Sequence, residues 1–307
     1  MLTKRVALNM ARNWPNGKLF QKANALREKY FGNKIHLCGI INARSGICDM
    51  DCKFCSQSSF HKTQVDTYKF LDGDTLREKI QQVLTSGANK CGIVTSGGKL
   101  GPQDVESLAQ VLNGLDSKDK HRICGSLGRL SLDDLKKLKQ NGLTRFHHNL
   151  ETSEGFYPKI CTTQKWRDRL ATAKNAKKVG METCIGGIFG CGETWNDRVD
   201  FAFELYKLKP NSVPINFLYR HKGTPFERLS PLDADEALRI VAIFRLILKD
   251  ISIRICGGRK NILGPRQYEI FHAGADAVMI GDYLTTSGES ITKDLENIKN
   301  LGLTFQE

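Results

Sequence analysis

From residue 35 onward, short runs rich in apolar and β-branched residues alternate with longer stretches in which apolar positions recur every three or four residues. The short runs are typical of strands and the longer stretches of amphipathic helices. Strands are predicted at Ile35–Asn42, Lys90–Thr95, Arg122–Gly125, Arg145–Glu151, Glu182–Phe189, Ser212–Leu218, Ser252–Gly257 and Ala277–Gly281. Helices are predicted at Thr75–Leu84, Gln103–Leu115, Leu132–Gln140, Trp166–Val179, Trp195–Leu208, Ala234–Leu248 and Pro265–Ala273.

Strands that alternate with helices eight times predict the α/β class and, within it, a (β/α)8 barrel of the TIM type. A doubly wound open sheet is the main alternative, because periodicity does not show whether a sheet closes. Residues 1–34 read as an N-terminal helical extension, and residues 35–307 as the barrel domain with a closing helix at Ile291–Leu301. In a barrel, functional groups are expected at the C-terminal ends of the strands and in the loops that follow them.

Charge and hydropathy narrow the class of protein only a little. The 46 basic and 33 acidic residues give a net charge of +13, which can attract polyanions. The basic residues are spread along the chain without an aromatic-basic motif, so we interpret most as solvated helix faces and expect no nucleic-acid partner. The densest apolar run, Ile240–Leu248, is interrupted by Arg245 and is too short to cross a bilayer. No membrane association is expected.

The first residues and the cysteines bear on the compartment. Met1–Arg27 is basic and lacks the continuous apolar core of a secretory signal, so an ordinary helix is favoured there over a transit peptide. Ten cysteines without such a signal indicate a reducing compartment, in which thiols serve as metal ligands or catalytic groups more often than as disulfides. We therefore expect a cytoplasmic protein.

Cys48, Cys52 and Cys55 follow the first predicted strand with the spacing Cys-x3-Cys-x2-Cys. A structural zinc site, the alternative, would normally add a fourth ligand and close the coordination sphere. A four-iron cluster held by three thiolates leaves one iron open for another ligand. The spacing thus favours an iron-sulfur cluster with chemistry at its open iron.

The cysteine loop, with Phe54 before its last cysteine, resembles the signature of the radical S-adenosylmethionine (SAM) superfamily. In that superfamily SAM chelates the open iron of a [4Fe–4S] cluster. An electron from the cluster then cleaves SAM to methionine and a 5′-deoxyadenosyl radical. The resemblance implies a radical SAM barrel that places this radical against one C–H bond of a substrate.

Three further cysteines, Cys91, Cys124 and Cys184, fall within different predicted strands. Each alone is most simply a small buried apolar residue. In a closed barrel, however, strands distant in sequence converge on one interior, and Arg254 on the seventh strand is costly to bury unless it is paired. We therefore interpret the three thiols and the arginine together as a second cluster site.

This set resembles the biotin synthase family, in which three cysteines and an arginine hold an auxiliary [2Fe–2S] cluster. Further matching segments are Phe146–Ser153, Gly186–Glu193, Val213–Asn216, Lys222–Pro225 and Leu284–Thr286. The resemblance implies insertion of sulfur from the auxiliary cluster into dethiobiotin, with two SAM molecules used per biotin. It also implies an electron donor of the flavodoxin or ferredoxin type; a homodimer is the default oligomer.

The resemblance also implies roles for polar residues. Asn149 and Glu151 would contact the SAM ribose, with Asn149 also reaching the substrate, although both could simply cap a helix. Arg169 would bind the SAM carboxylate, and a solvated helix face is its alternative. Asn216 would hydrogen-bond the cyclic urea of dethiobiotin. Thr285 and Thr286 are weaker candidates for the substrate carboxylate, since loop structure explains them equally well.

Some positions depart from the family pattern. Glu151 stands where Asp is usual, and His147 where Asn is usual. Cys256 lies two residues after Arg254, on the same face of the strand; it either fills space as a buried thiol or serves as an additional ligand that changes the nuclearity of the auxiliary cluster. Cys38, Cys161 and Cys191 receive no role.

Two other functions remain open from the sequence. A sister radical SAM enzyme acting on another small molecule would keep the cysteine loop but generally not the set of strand cysteines, Arg254 and Asn216. A basic metal-binding module for RNA would instead have a closed zinc site and bind polyanions in a salt-sensitive way.

Overall fold

The strands of the computed structural model, which describes residues 2–306, form a closed parallel barrel. They are β1 (Lys34–Arg44), β2 (Lys90–Thr95), β3 (Ile123–Ser126), β4 (Arg145–His147), β5 (Glu182–Cys184), β6 (Gly187–Phe189), β7 (Ser212–Phe217), β8 (Ser252–Ile255), β9 (Ala277–Met279) and β10 (Thr304–Phe305). The barrel closes where β9 pairs with β1. This closure confirms the (β/α)8 prediction and excludes the doubly wound sheet.

Eight staves make up the barrel, because β5 and β6 share one stave and both pair with β7. β10 is not a stave and pairs only with the first two residues of β1. The predicted fifth strand is broken between them. At Gly186 a Cβ atom would lie 1.9 Å from the Pro214 carbonyl oxygen, so only glycine fits. The backbone N–H groups of Leu150 and Glu151 donate to the Gly186 carbonyl at this break. The segment after β4 thus turns toward the barrel mouth, and the prediction that the fourth strand runs to Glu151 is wrong.

Helices cover the outside of the barrel. They are α1 (Lys4–Asn13), α2 (Asn16–Phe31), α3 (Gly73–Thr85), α4 (Pro102–Asn113), α5 (Ser117–Lys120), α6 (Leu132–Gln140), α7 (Trp166–Lys178), α8 (Trp195–Leu208), α9 (Ala234–Leu248), α10 (Arg259–Leu263) and α11 (Ile291–Asn300). Side chains of Ser131 and Thr194 accept from backbone N–H groups in reciprocal capping boxes, which fixes the start of α6 and α8.

The predicted helix at Pro265–Ala273 is wrong. Instead, α10 ends at Leu263. Gly264 follows with a positive φ of 51°, and a short 3-10 turn and further turns come after it. Pro265 lacks the N–H that a continued helix would need. The short elements α5 and β10 had no clear periodicity and were not predicted.

The N-terminal helices α1 and α2 pack against α8 and α9 rather than against the strands. Their buried residues Ala7, Met10 and Leu19 belong to the same apolar cluster as α9. The division into residues 1–34 and 35–307 stays a prediction.

Arg245, which interrupts the apolar run of α9, is fully buried and forms an ion pair with Asp276, also fully buried. It further donates to the carbonyl oxygens of Gly274 and Ile251, at 2.7 and 2.9 Å. The charge is therefore neutralised inside the core. Within residues 2–306, no helix combines the length and apolar character needed to cross a membrane.

Candidate functional site

A cavity of about 380 Å³ opens at the C-terminal mouth of the barrel. Its lining includes most residues predicted to bind a cofactor or the substrate: Cys48, Cys52, Cys55, Cys124, Asn149, Glu151, Arg169, Asn216, Arg254, Thr285 and Thr286. Cys184 lies beside this cavity, where the guanidinium Nη1 of Arg254 approaches its Sγ at 3.7 Å. Cys91 does not join these residues.

The cysteine loop between β1 and α3 is held in shape by its own backbone and by the loop after β4. The N–H of Cys48 donates to the Gln57 carbonyl at 3.0 Å, and the N–H of Lys53 donates to the Ile160 carbonyl at 2.9 Å. Asp51, inside the cysteine motif, accepts from the backbone N–H groups of Thr162 and Thr163 at 2.8 and 3.1 Å. These bonds outweigh burial and hold the pKa of Asp51 well below its usual range.

The three loop thiols lie together at the cavity lining. Across residues 2–306, no three His, Cys, Asp or Glu side chains converge on one metal-ion position. A zinc ion would require sulfurs about 2.3 Å from a single centre, whereas cluster ligands are distributed around several irons. Burial raises the pKa of the Cys55 thiol to about 12 and also raises that of Cys48. Metal binding must therefore displace protons from these thiols.

Glu151 and Arg169 form a half-buried ion pair that faces the cysteine loop across the cavity. Nη2 of Arg169 lies 3.1 Å from Oε1 of Glu151, and Nη1 donates to Gln164 at 2.9 Å. Burial raises the pKa of Glu151, although the Arg169 charge opposes this. Burial opposes the charge of Arg169, but Glu151, Tyr157 and Cys52 together raise its pKa above the ordinary value. The pair offers a carboxylate for hydroxyl groups and a guanidinium for an anion.

The two candidate amides are fixed by backbone bonds. Asn149 Oδ1 accepts from the Gly186 N–H at 3.1 Å. Asn216 accepts from the Gly257 N–H at 3.0 Å and donates to the Gly187 carbonyl at 3.1 Å. An amide oxygen has two lone pairs and an amide nitrogen has two hydrogens. Asn216 therefore keeps one acceptor position and one donor position free for a ligand. Thr285 Oγ1 lies 3.0 Å from Ser56 Oγ, which ties the last barrel loop to the cysteine loop.

Cys91 lies on the outer face of β2. It is fully buried in an apolar cluster with Leu76 and Ile80 of α3. The inward position of β2 belongs to Gly92, which lines the cavity, and a Cβ there would lie 3.1 Å from Ile40 Cγ2. Since side chains alternate between the two faces of a strand, the grouping of Cys91 with Cys124 and Cys184 is not supported by the structure.

A different thiol set surrounds Arg254. Cys38, Cys124 and Cys256 line the cavity, and Cys184 contacts the guanidinium. Burial opposes the charge of Arg254, but the thiols of Cys38, Cys184, Cys256 and Cys124 together raise its pKa above the ordinary value. The Nε of Arg254 is buried without a hydrogen-bond partner among residues 2–306. A buried donor without a partner calls for an acceptor in this space.

Cys38 is the member of this set that sequence reasoning missed. It shares a face of β1 with Ile40, which also lines the cavity, so alternation along the predicted strand was the available signal. His147 also lines the cavity, and burial lowers its pKa to about 4, which leaves its ring neutral near pH 7. Tyr219 and His221, with ring centroids 4.6 Å apart, lie at the same cavity and carried no sequence signal.

Comparison with known proteins supports the interpretation of the cysteine loop and shows the family of the chain. The radical SAM superfamily model matches residues 43–205, which contain the cysteine loop. The model of the biotin and thiamin synthesis associated domain matches residues 214–304. Biotin synthase of Desulfovibrio desulfuricans is 51% identical over 289 residues, covering 94% of this chain and 92% of the relative. The chain belongs to the biotin synthase family.

Other relatives bear out this membership over almost the whole chain. Biotin synthase of Acetivibrio thermocellus is 42% identical over 304 residues, which cover 99% of this chain and 95% of the relative. The protein is therefore an enzyme of the radical SAM superfamily, as the resemblance of its motifs implied.

Solved structures support the fold alone. Methylornithine synthase superposes with a TM-score of 0.82 at 18% identity, covering 100% of this chain and 95% of that protein. The FeFe-hydrogenase maturase HydG of Carboxydothermus hydrogenoformans superposes with a TM-score of 0.84 at 17% identity, covering 98% of this chain and 75% of that protein. Both share the barrel of the biotin synthase family.

Proposed function

We propose that this enzyme inserts sulfur into dethiobiotin to make biotin, using SAM and two iron-sulfur clusters. The observation that carries the proposal is that one cavity brings together the loop cysteines and an inner set of thiols around Arg254. Once bound, a [4Fe–4S] cluster with SAM supplies a hydrogen-abstracting radical, and an auxiliary cluster supplies sulfur. The task of the protein is to hold both groups and the substrate around one space of about 380 Å³.

At the mouth of the cavity, Cys48, Cys52 and Cys55 would hold the [4Fe–4S] cluster. Arg169 would bind the SAM carboxylate through its planar guanidinium, and Glu151 would accept from the ribose hydroxyls. Their 3.1 Å contact supports these roles, because each charge holds the other in place before SAM binds. The Asp51 hydrogen bonds keep the loop rigid.

Dethiobiotin would lie between the two clusters. Asn216 has one donor and one acceptor free to meet its cyclic urea. Asn149 would contact both the substrate and the ribose. Thr285 and Thr286, which line the same cavity, would receive the substrate carboxylate.

For the auxiliary cluster we propose the thiols of Cys38, Cys124, Cys184 and Cys256, in place of the predicted set with Cys91. A protonated guanidinium has no lone pair with which to bind iron. Arg254, whose pKa is raised by these thiols, is better suited to balance their negative charge than to replace one of them. Four thiolates suit either a [2Fe–2S] or a [4Fe–4S] core, so the nuclearity is decided by iron and sulfide counts.

The proposal also includes the compartment, the electron donor and the oligomeric state of the enzyme. All ten cysteines are free thiols in the structure, which supports the cytoplasm as the compartment. A flavodoxin- or ferredoxin-type donor would supply electrons, and a homodimer is the expected oligomer.

The test is an anaerobic assay of the reconstituted protein with SAM, dithionite and dethiobiotin. We expect both biotin and 5′-deoxyadenosine. Formation of 5′-deoxyadenosine without biotin would favour a sister radical SAM enzyme with another substrate. Absence of both products, in protein whose iron and sulfide contents match two clusters, would overturn the proposal.

A further inference from the structure

Two large apolar side chains stand in solvent beside the cysteine loop. Ile47 is 79% exposed and Phe60 is 62% exposed, the highest values among the exposed large apolar residues of the described chain. Ile47 directly precedes Cys48. We call Ile47 and Phe60 the loop patch. Exposed apolar residues of this size cost solubility and usually mark a contact site when they occur together.

The backbone holds Ile47 outward at a conformational cost. Its φ is +44°, in the left-handed region that a β-branched residue rarely adopts. The neighbouring backbone enforces this conformation, because the N–H of Gly46 donates to the Gln57 side chain at 3.1 Å and the N–H of Cys48 donates to the Gln57 carbonyl at 3.0 Å. Strain that the surroundings enforce is typical of functional segments.

Phe60 is linked to the same loop by hydrogen bonds on both sides. The N–H of Ser59 donates to the Cys48 carbonyl at 2.9 Å. The His61 ring nitrogen lies 3.0 Å from the Cys52 carbonyl oxygen. Ile47 is therefore bonded directly to the proposed ligand Cys48, and Phe60 is connected to Cys48 and Cys52 through its chain neighbours Ser59 and His61.

Positive charge borders the loop patch. Lys62 and Lys222 are exposed, and their loops touch, since a Cβ on Gly223 would lie 2.1 Å from the Lys62 carbonyl oxygen. Neither lysine, nor the half-buried Lys53, forms an ion pair with a residue of the described chain. Two acids of the cysteine motif point toward backbone donors rather than toward these lysines, because Asp49 accepts from the Gly98 N–H at 2.7 Å and Asp51 accepts from the Thr162 N–H at 2.8 Å. An acidic partner would thus meet three lysines that form no ion pair within residues 2–306, beside an apolar centre.

We propose that the loop patch, with Lys53, Lys62 and Lys222, is the docking site of reduced flavodoxin. This inference rests on the proposed function, which requires one electron for each SAM cleaved. Flavodoxin hydroquinone would give one electron to the [4Fe–4S] cluster and become the semiquinone. FMN presents an apolar dimethylbenzene edge that suits Ile47 and Phe60, and a small contact is normal for transient redox partners. The patch would bring that edge to the backbone of the cluster ligands.

The test compares two reductants on the same holoenzyme. Ile47→Asn removes the apolar group with a residue that tolerates positive φ, and Phe60→Ser removes the other. With reduced flavodoxin as donor, we expect the double variant to raise the KM for flavodoxin about tenfold. With dithionite, 5′-deoxyadenosine formation should match the wild type. Tyr30→Ser and Leu301→Ser, each 41% exposed and remote from the loop, are the matched controls.

A second variant tests the charge. Replacing Lys53, Lys62 and Lys222 with Gln should raise the KM for flavodoxin and flatten its dependence on salt. An unchanged KM for flavodoxin in both the apolar and the lysine variants would overturn the docking site. Loss of turnover with reduced ferredoxin but not with flavodoxin would overturn the choice of partner. Failure of the wild-type protein to cleave SAM with dithionite would instead count against the proposed function.

Discussion

Nη1 of Arg254 donates to Sγ of Cys184 across 3.7 Å of the barrel interior. The contact places a guanidinium, an obligate cation, among thiols that become anionic only when they bind metal. In the metal-free protein it stabilises one side of a future cluster site, and in the loaded protein it would balance the charge of that site. The arginine could act by balancing the charge of the cluster or by binding iron as a ligand, and substitutions distinguish the two roles.

Arg254→Lys should keep the auxiliary cluster, because the ammonium preserves the positive charge. Arg254→Met should lower its midpoint potential, since negative charge on the cluster is no longer balanced. Redox titration of each variant, with Mössbauer spectra of the oxidised protein, makes the comparison. A changed iron site in Arg254→Lys would show that the arginine is a ligand after all.

Cys38→Ala and Cys256→Ala should each reduce the iron and acid-labile sulfide of the auxiliary cluster, while Cys91→Ala leaves both unchanged. The reason is geometric, because Cys91 packs among Leu76 and Ile80 outside the barrel. Chemical iron and sulfide analysis after anaerobic reconstitution measures this directly. Loss of auxiliary iron in Cys91→Ala alone would restore the set predicted from the sequence.

Arg169→Gln should weaken SAM binding about tenfold or more, since a charge-assisted bidentate contact is removed. Cluster content should stay the same, because Arg169 is not a thiol ligand. Equilibrium dialysis with labelled SAM gives the Kd. Arg167→Gln is the control, as Arg167 is exposed and forms an ion pair with Glu154 rather than with a cavity residue. Equal effects of the two changes would contradict the assigned role.

Glu289 gives a pH-dependent contribution to stability away from both clusters. Burial works to raise its pKa, but hydrogen bonds from Gln267, Lys293 and the Ser290 N–H hold it at about 2. Because this value lies below the ordinary value of 4.5, the stabilisation is complete above that pH and is lost as pH falls toward about 2. Glu289→Gln should therefore destabilise the protein by about 1 kcal/mol at pH 7 and by less at pH 3.

Urea unfolding at the two pH values measures this difference, with Glu296→Gln on the exposed side of α11 as the control. A pH-independent loss of stability in Glu289→Gln would mean that packing, rather than the carboxylate charge, is responsible.

The architecture was predictable because each barrel stave carries a short apolar run followed by a periodic helix. Cys48, Cys52 and Cys55 were recognisable for a similar reason, since their spacing is local. The set of thiols around Arg254 was harder to predict. At Cys91 and Gly92 a shift of one residue decides which side chain faces the cavity, and only the paired register of β1 and β2 resolves it.

The remaining errors in the predicted strands and helices arise where the backbone departs from regular geometry. Glu151 has a φ of +70° and turns the chain out of β4, which an apolar pattern does not reveal. The same turn brings its carboxylate to Arg169. Tertiary contacts at Gly186 and Pro214, far apart from this turn in sequence, make that geometry possible.

Asp51 ties the cysteine loop to Thr162 and Thr163, residues more than one hundred positions later in the chain. During synthesis, the cysteines emerge from the ribosome long before these partners do. We expect the loop to acquire its fixed shape only once the fourth stave of the barrel and its loop are in place. Iron delivery would then follow the folding of the first half of the barrel, so that an incomplete nascent chain does not retain the metal.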